Sequence, residues 1–282
     1  MPQPQPNAAG TLLHLAPTAG HQSVFRPGEH GARWLGLAVL RLATGERWQG
    51  DLGDAEAALV VMGGRCTLSL AGRESACWPG LGDRADIFAG PPAAAYAPRG
   101  SSIQVLAESD LELALIESPC SVDLAPRLIL SSQVKEVSTG VANWRRDVRL
   151  VIPPGSPLSQ RLIVGETVNP AGNWSGIPPH KHDRPGPGES PLEEFYWFKA
   201  RPADGYAVQL LYRDAGAQAH IVGHDDVLLM LSGYHPTVAA PGTTVAYLWA
   251  LAGESKTYQV AADPRFAWVP TAEAVIRERE RR

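Results

Sequence analysis

Apolar residues along this chain come in short runs, broken every few positions by polar or turn-forming residues, and the runs do not follow a helical period. In the first half, strand-like pieces cover 34–43, 57–72, 102–109 and 111–118. A second series covers 161–168, 193–200, 206–213, 226–231, 237–240 and 245–253. Gly63-Gly64 predicts a hairpin turn inside 57–72, and Asp110 predicts a turn pairing 102–109 with 111–118. Residues 119–150 are polar, lack a clean period and read as a bridge. Residues 1–10, rich in Pro, Gln and Ala, predict a poorly ordered start. The alternating Arg and Glu of 271–282 make that tail the helical candidate. The two halves carry similar numbers of short strands, although no residue-level repeat is legible. The pattern predicts an all-β protein with one unit at 11–130 and a second at 131–270.

Composition narrows the function. Of 282 residues, 44% are hydrophobic and 19% charged, which describes a globular chain with ample core. Gly 28 and Pro 25 supply the turns that many short strands need. A net charge of −4 offers no basic face, so neither nucleic acid nor an anionic membrane is an expected partner. The three cysteines, Cys66, Cys77 and Cys120, form neither an even set nor a C-x-x-C, which points to a reducing compartment. No signal-peptide pattern opens the chain and no apolar run approaches ~20 residues, so the expected location is cytoplasmic.

Candidate chemistry concentrates in 173–198. His180 and His182 stand one residue apart, and strand alternation puts both imidazoles on one face, with Lys181 and Asp183 on the other. The same alternation in Glu-Glu-Phe-Tyr-Trp-Phe (193–198) groups Glu194 with Tyr196 and Phe198, and leaves Glu193 with the opposite set. His235 follows a glycine turn in Gly-Tyr-His-Pro (233–236). Three imidazoles and one carboxylate suit one divalent metal ion (Mn, Zn, Fe or Ni) with coordination positions left open. Gly216, Gly223 and Asp225-Asp226 make a turn, not a metal site, of His220-x3-His224. Gly-x-Ser-x-Gly is absent, so a serine nucleophile is unsupported.

His180-x-His182, the downstream Glu and the later His resemble the cupin metal motif. More specifically, GNWSGIPPHKHD (172–183), LEEFYWF (192–198), GYHP (233–236) with Pro241-Gly242, LIVGETVNPAGNW (162–174) and Ala252-Gly253 resemble the 5-deoxy-glucuronate isomerase family of myo-inositol catabolism. That family is similar to the 4-deoxy-L-threo-5-hexosulose-uronate ketol-isomerases. The resemblance runs from about 143 to 264. It implies a bicupin, two β-barrel (double-stranded β-helix) units, with a single metal in the second, held by His180, His182, Glu194 and His235. It also implies conversion of 5-deoxy-D-glucuronate to 2-deoxy-5-keto-D-gluconate through a metal-stabilised enediolate. Candidates for the proton-transferring group are Tyr196, Glu193, Glu166 and a metal-bound hydroxide. Candidates for holding the sugar acid, whose carboxylate suits a bidentate arginine, are Arg146, Arg161, Gln209, Lys181 and Tyr234. Leu210, Thr243, Ala246 and Trp249 depart from the family pattern near the substrate wall. The alternatives are a paralogous cupin acting on another sugar acid, as isomerase or Fe-dependent dioxygenase, and a non-catalytic cupin that binds a sugar acid. Homo-oligomers are expected, because exposed sheet edges can be covered between subunits.

Overall fold

The computed structural model describes residues 10–281; residues 1–9, most of the stretch expected to be poorly ordered, lie outside the described residues. Two large antiparallel sheets pack against each other. The six-stranded sheet is ordered Arg127–Ile129, Ala94–Ala97, Ala55–Gly63, Leu111–Pro119, Gly36–Leu42, Gly20–Phe25. The seven-stranded sheet is ordered Thr11–His14, Asp226–Met230, Glu193–Arg201, Thr244–Ala252, Ile163–Asn169, Arg146–Ile152, Lys135–Thr139. The shared core between them holds Leu37, Val39, Val60 and Ile116 from one sheet and Phe195, Trp197, Leu229 and Leu248 from the other. Each large sheet covers its far face with a four-stranded sheet, which makes the all-β, two-unit architecture of a bicupin.

Alternation explains how a strand serves two cores at once. In Glu193–Arg201, Phe195 and Trp197 enter the central core, while Tyr196 and Phe198 enter the outer one. Such a strand must be apolar at nearly every position, and the Phe-Tyr-Trp-Phe run is.

Three expectations about connectivity are corrected. Gly63-Gly64 does not close a hairpin: Ala55–Gly63 belongs to the six-stranded sheet, while Cys66–Ala71 pairs with Ser102–Ala107 and Ala76–Leu81. Gly64, at φ 88°, turns the chain between sheets where a Cβ would collide with Asp110 O. Likewise Ser102–Ala107 and Leu111–Pro119 are not partners, because the turn at 109–110 switches sheets. The supposed bridge carries Arg127–Ile129, Lys135–Thr139 and Arg146–Ile152, and the chain passes from one large sheet to the other between Ile129 and Lys135. An additional strand, Gly216–Val222, is mostly exposed and puts His220 in a strand paired with Ala207–Arg213, where the flanking glycines predict a turn.

Thr11–His14 pairs with Asp226–Met230, so the first described strand extends the sheet of the second half. The tail forms the helix Val269–Glu280, tied down by Trp144 Nε1 donating to Glu273 and Arg277 donating to Gly140 O. No described helix is long and apolar enough to cross a membrane.

Candidate functional site

Glu194 points into the outer core of the second half, beside Tyr196 on the same strand face. His180–Lys181 makes a two-residue pairing with Ala261–Ala262. His182 lies just beyond it, fixed to Leu192 twice: His182 Nδ1 donates to Leu192 O at 2.8 Å, and Leu192 N donates back to His182 O at 2.8 Å. His235 follows Gly233, whose φ of 95° makes the turn, and its Nδ1 donates to Gly233 O at 2.9 Å. A carbonyl only accepts, so both rings carry a hydrogen on Nδ1 and turn Nε2 inward.

The inward atoms converge. Ligand atoms of His182, Glu194 and His235 all lie within 4.8 Å of one another, and all three residues are buried. His182 Nε2 is 3.1 Å from Glu194 Oε2, and His235 Nε2 is 3.2 Å from the same oxygen. His180 borders this trio. Its ring centroid is 4.9 Å from that of His235 and 6.4 Å from that of His182, and it does not belong to the set of mutually close ligand atoms. The pairing ends at Lys181, so the strict alternation expected for the two histidines applies to only part of the motif.

Electrostatics follow from burial and contact. Burial alone would raise the Glu194 carboxyl, but the hydrogen bond from His182 and the neighbouring imidazoles hold it down at about 2. Burial and the adjacent His235 and His182 push His180 down to about 3, so it is neutral at ordinary pH. His182 is opposed by burial, yet the Glu194 contact wins and raises it. Burial and the Glu194 charge hold the Tyr196 hydroxyl well above its ordinary range, so it keeps its proton.

Of the other predicted residues, some reach this space and some do not. Arg146 faces away from the central core that Arg149 and Val151 approach, and its charge acts on Tyr196, Tyr247 and Tyr258. Gln209 is fully buried and supports the ligand turn, with Nε2 donating to His235 O at 2.7 Å and Oε1 accepting from Thr237. Tyr234 stacks on Tyr212 at 5.1 Å, and Tyr212 donates to Asp263. Lys181 turns away, as alternation requires, and pairs with Asp183 and Glu189.

Three candidates are occupied elsewhere. Glu166 shares the face of Val164 in the central core, where it pairs with Arg84 at 2.5 Å and Arg149 at 3.3 Å. Arg161 donates to Pro119 O, Gly253 O and Glu254 O and lies over the Trp34 ring at 4.2 Å. Glu193 accepts hydrogen bonds from the backbone of Arg33, Trp34 and Leu35. Sequence reasoning missed Tyr247 and Tyr258. Alternation in Thr244–Ala252 would have found Tyr247, which stacks on Tyr196 at 4.4 Å and shares a 2.5 Å hydrogen bond with Ser175. Tyr258 sits in an irregular segment without a periodic signal; burial and the Glu194 charge push it up to about 12.

The donor set fits a metal ion. His235 Nε2 is buried and, although 3.2 Å from Glu194 Oε2, makes no aligned hydrogen bond, so it costs free energy unless something inward satisfies it. Two imidazole nitrogens, each ring oriented from behind by a backbone carbonyl, and a carboxylate are what such an ion takes.

Comparison with known proteins follows the same lines. Residues 14–269 match the model of the KduI/IolB family. A Geobacillus kaustophilus protein named 5-deoxy-glucuronate isomerase is 33% identical over 285 residues, covering 100% of this chain and 98% of its own. The Bacillus subtilis protein of that name is 30% identical over 235 residues, covering 82% of this chain and 86% of its own. The crystal structure of an IolB-like protein from Salmonella typhimurium superposes with a TM-score of 0.87 at 29% identity, covering 92% of this chain and 98% of the other. Lactobacillus farciminis oxalate decarboxylase, at 11% identity and TM-score 0.66 over 94% of this chain and 89% of its own, shares the fold alone.

Proposed function

The chain belongs to the KduI/IolB family, and on that premise we propose that it is an aldose–ketose isomerase that converts 5-deoxy-D-glucuronate to 2-deoxy-5-keto-D-gluconate. The observation that carries this is the convergence of His182, Glu194 and His235 in the second half of a chain whose relatives bear that name. The unit at 131–270 holds one divalent ion (Mn, Zn, Fe or Ni) and the unit at 11–130 holds none. His182, Glu194 and His235 are its ligands, and His180 completes the set. A bound divalent ion supplies Lewis acidity toward adjacent carbonyl and hydroxyl oxygens.

The reaction moves a carbonyl by one carbon, so a proton leaves C2 and a proton returns at C1. Tyr196 is a proton holder: buried beside Glu194, its hydroxyl stays protonated and donates to a substrate oxygen. Arg146 takes the substrate carboxylate, supported by its reach toward Tyr196, Tyr247 and Tyr258. Glu193 and Glu166, each engaged between the two halves, take no part in proton transfer. A sugar acid from cytoplasmic catabolism is the small-molecule partner.

The test is conversion of 5-deoxy-D-glucuronate by purified protein, followed by NMR, with metal content measured on the same sample. His182→Ala is expected to lose both the metal and turnover. Full activity of a metal-free His182→Ala protein would overturn the proposal.

A further inference from the structure

Two glutamates hold matching places in the two halves. Glu56 lies at the start of Ala55–Gly63, and Glu193 at the start of Glu193–Arg201. Both strands run inside their large sheets, each between two antiparallel neighbours. Each carboxylate reaches across to three consecutive backbone N–H groups of the other half. Glu56 accepts from Gln160 at 2.7 Å, Arg161 at 2.7 Å and Leu162 at 3.2 Å. Glu193 accepts from Arg33 at 2.7 Å, Trp34 at 2.8 Å and Leu35 at 3.2 Å. The segments they grip also correspond, because 33–35 leads into Gly36–Leu42 and 160–162 leads into Ile163–Asn169, the strands at matching places in the two sheets.

The difference lies in the next residue. Ala57 follows Glu56 and faces an apolar interior; Glu194 follows Glu193 and faces the two histidines. On the other side of Glu193 stands Leu192, hydrogen-bonded in both directions to His182. Residues 192, 193 and 194 thus tie together one imidazole, the first half of the molecule and the carboxylate of the site. The proposed metal role of that site is what the following step rests on.

We propose that Glu193 is a positioning residue: its grip on residues 33–35 of the first half fixes the strand start that sets Glu194 and His182 around the metal. Three charge-assisted hydrogen bonds to one half-buried carboxylate make a stiff joint. A ligand on a well-packed strand cannot shift independently of the peptide beside it. The half without a metal site thereby sets the geometry of the half that has one, and this accounts for a glutamate beside the ligand that never faces it. Glu56 makes the matching three-bond grip, is fully buried and accepts a further hydrogen bond from the Tyr96 hydroxyl at 2.8 Å, but has no ligand next to it, and so serves as the internal control.

The experiment is a Mn²⁺ titration of wild type, Glu193→Gln and Glu56→Gln, with free Mn²⁺ read by EPR and stability by urea unfolding. Glutamine keeps one acceptor oxygen and loses the charge and the second. Both variants are expected to lose stability, Glu56→Gln the more because its carboxylate is fully buried and also holds Tyr96, while Glu193→Gln alone weakens Mn²⁺ binding by about 10- to 100-fold, the range for groups that orient ligands from behind. Its turnover is expected to fall in kcat more than in KM. Wild-type protein provides a second measurement that needs no variant to fold. Because coupling is reciprocal, Mn²⁺ should slow amide hydrogen exchange at residues 33–35 and leave 160–162 unchanged. Equal Mn²⁺ affinities of the two variants, or equal protection of both segments, would overturn the inference alone. Wild-type protein that binds no Mn²⁺ would overturn the metal assignment and the inference with it.

Discussion

The two halves of this molecule share a scaffold and fill it oppositely. In the first half, Ala57, Leu59 and Val61 point into the interior from the strand after Glu56, against Leu113 and Leu115. In the second half the matching strand sends in Glu194, Tyr196 and Phe198, against Tyr247 and Trp249. One interior is closed by aliphatic packing. The other holds a carboxylate, imidazoles and phenols, kept in place by backbone carbonyls at Leu192 and Gly233 and by Gln209. The contrast teaches that the sheets, and the core between them, supply stability twice over. A polar interior is tolerated in one half because backbone and side-chain partners hold most of its groups, and because the central core is apolar apart from the Glu166–Arg84–Arg149 group.

The largest expected effect comes from exchanging the two interiors at one position. Ala57→Glu places a carboxylate among aliphatic neighbours without an imidazole to receive it, at a cost of several kcal/mol. The expected result is an unfolded or aggregated product at 25 °C, seen by circular dichroism. The reverse change, Glu194→Ala, is expected to leave the fold and remove metal binding. A well-folded Ala57→Glu protein would break the comparison.

Next in size is the ion group between the halves. Glu166→Ala strands the buried guanidiniums of Arg84 and Arg149, so a loss of about 3–5 kcal/mol is expected from urea unfolding. Because Glu166 faces the central core, per-molecule turnover of the folded fraction should be unchanged, which separates its structural role from the proton-transfer role that its sequence position suggested.

The smallest effect is a pH dependence. Asp225 reaches the first half through Arg41 and pairs with Lys199 of its own half, which in turn pairs with Glu112 of the first. Burial opposes its ionisation, but Lys199 and then Arg41 outweigh that and hold its carboxyl below the usual value. A carboxyl whose folded value is depressed contributes stability that is fully present above about 3.9 and is lost as pH falls through the folded value. Asp225→Asn should therefore lower stability at pH 7 and flatten the acid limb of the unfolding curve. Asn also tolerates the φ of 67° found at this residue, so backbone strain is not the cause. An unchanged acid limb would remove Asp225 from the contact between the halves.

Much of this was legible in the chain. Alternation in 193–198 separated Glu194 from Glu193 because a strand buried on both faces still sends successive side chains to opposite sides. The Gly-Tyr-His-Pro turn marked His235 for the same local reason. The sheet partners were not legible. Cys66–Ala71 and Ser102–Ala107 each neighbour in sequence a strand that they do not pair with, since a glycine or a turn residue marks a change of direction but not the sheet that receives the chain. Nor was the fate of Glu166, Arg161 and Glu193. Each is a charged residue in a promising place, and each is held away from the site by contacts that include the other half of the molecule.

By itself the sequence determined the class of fold, the residue types gathered at the site and the face that Glu194 takes, because these depend on periodicity and on residues a few positions apart. Only the tertiary structure decided which charged groups meet the site and which bind the halves together. That choice depends on contacts between residues more than a hundred positions apart, such as Glu193 with Arg33 and Glu56 with Arg161, for which the local pattern carries no signal.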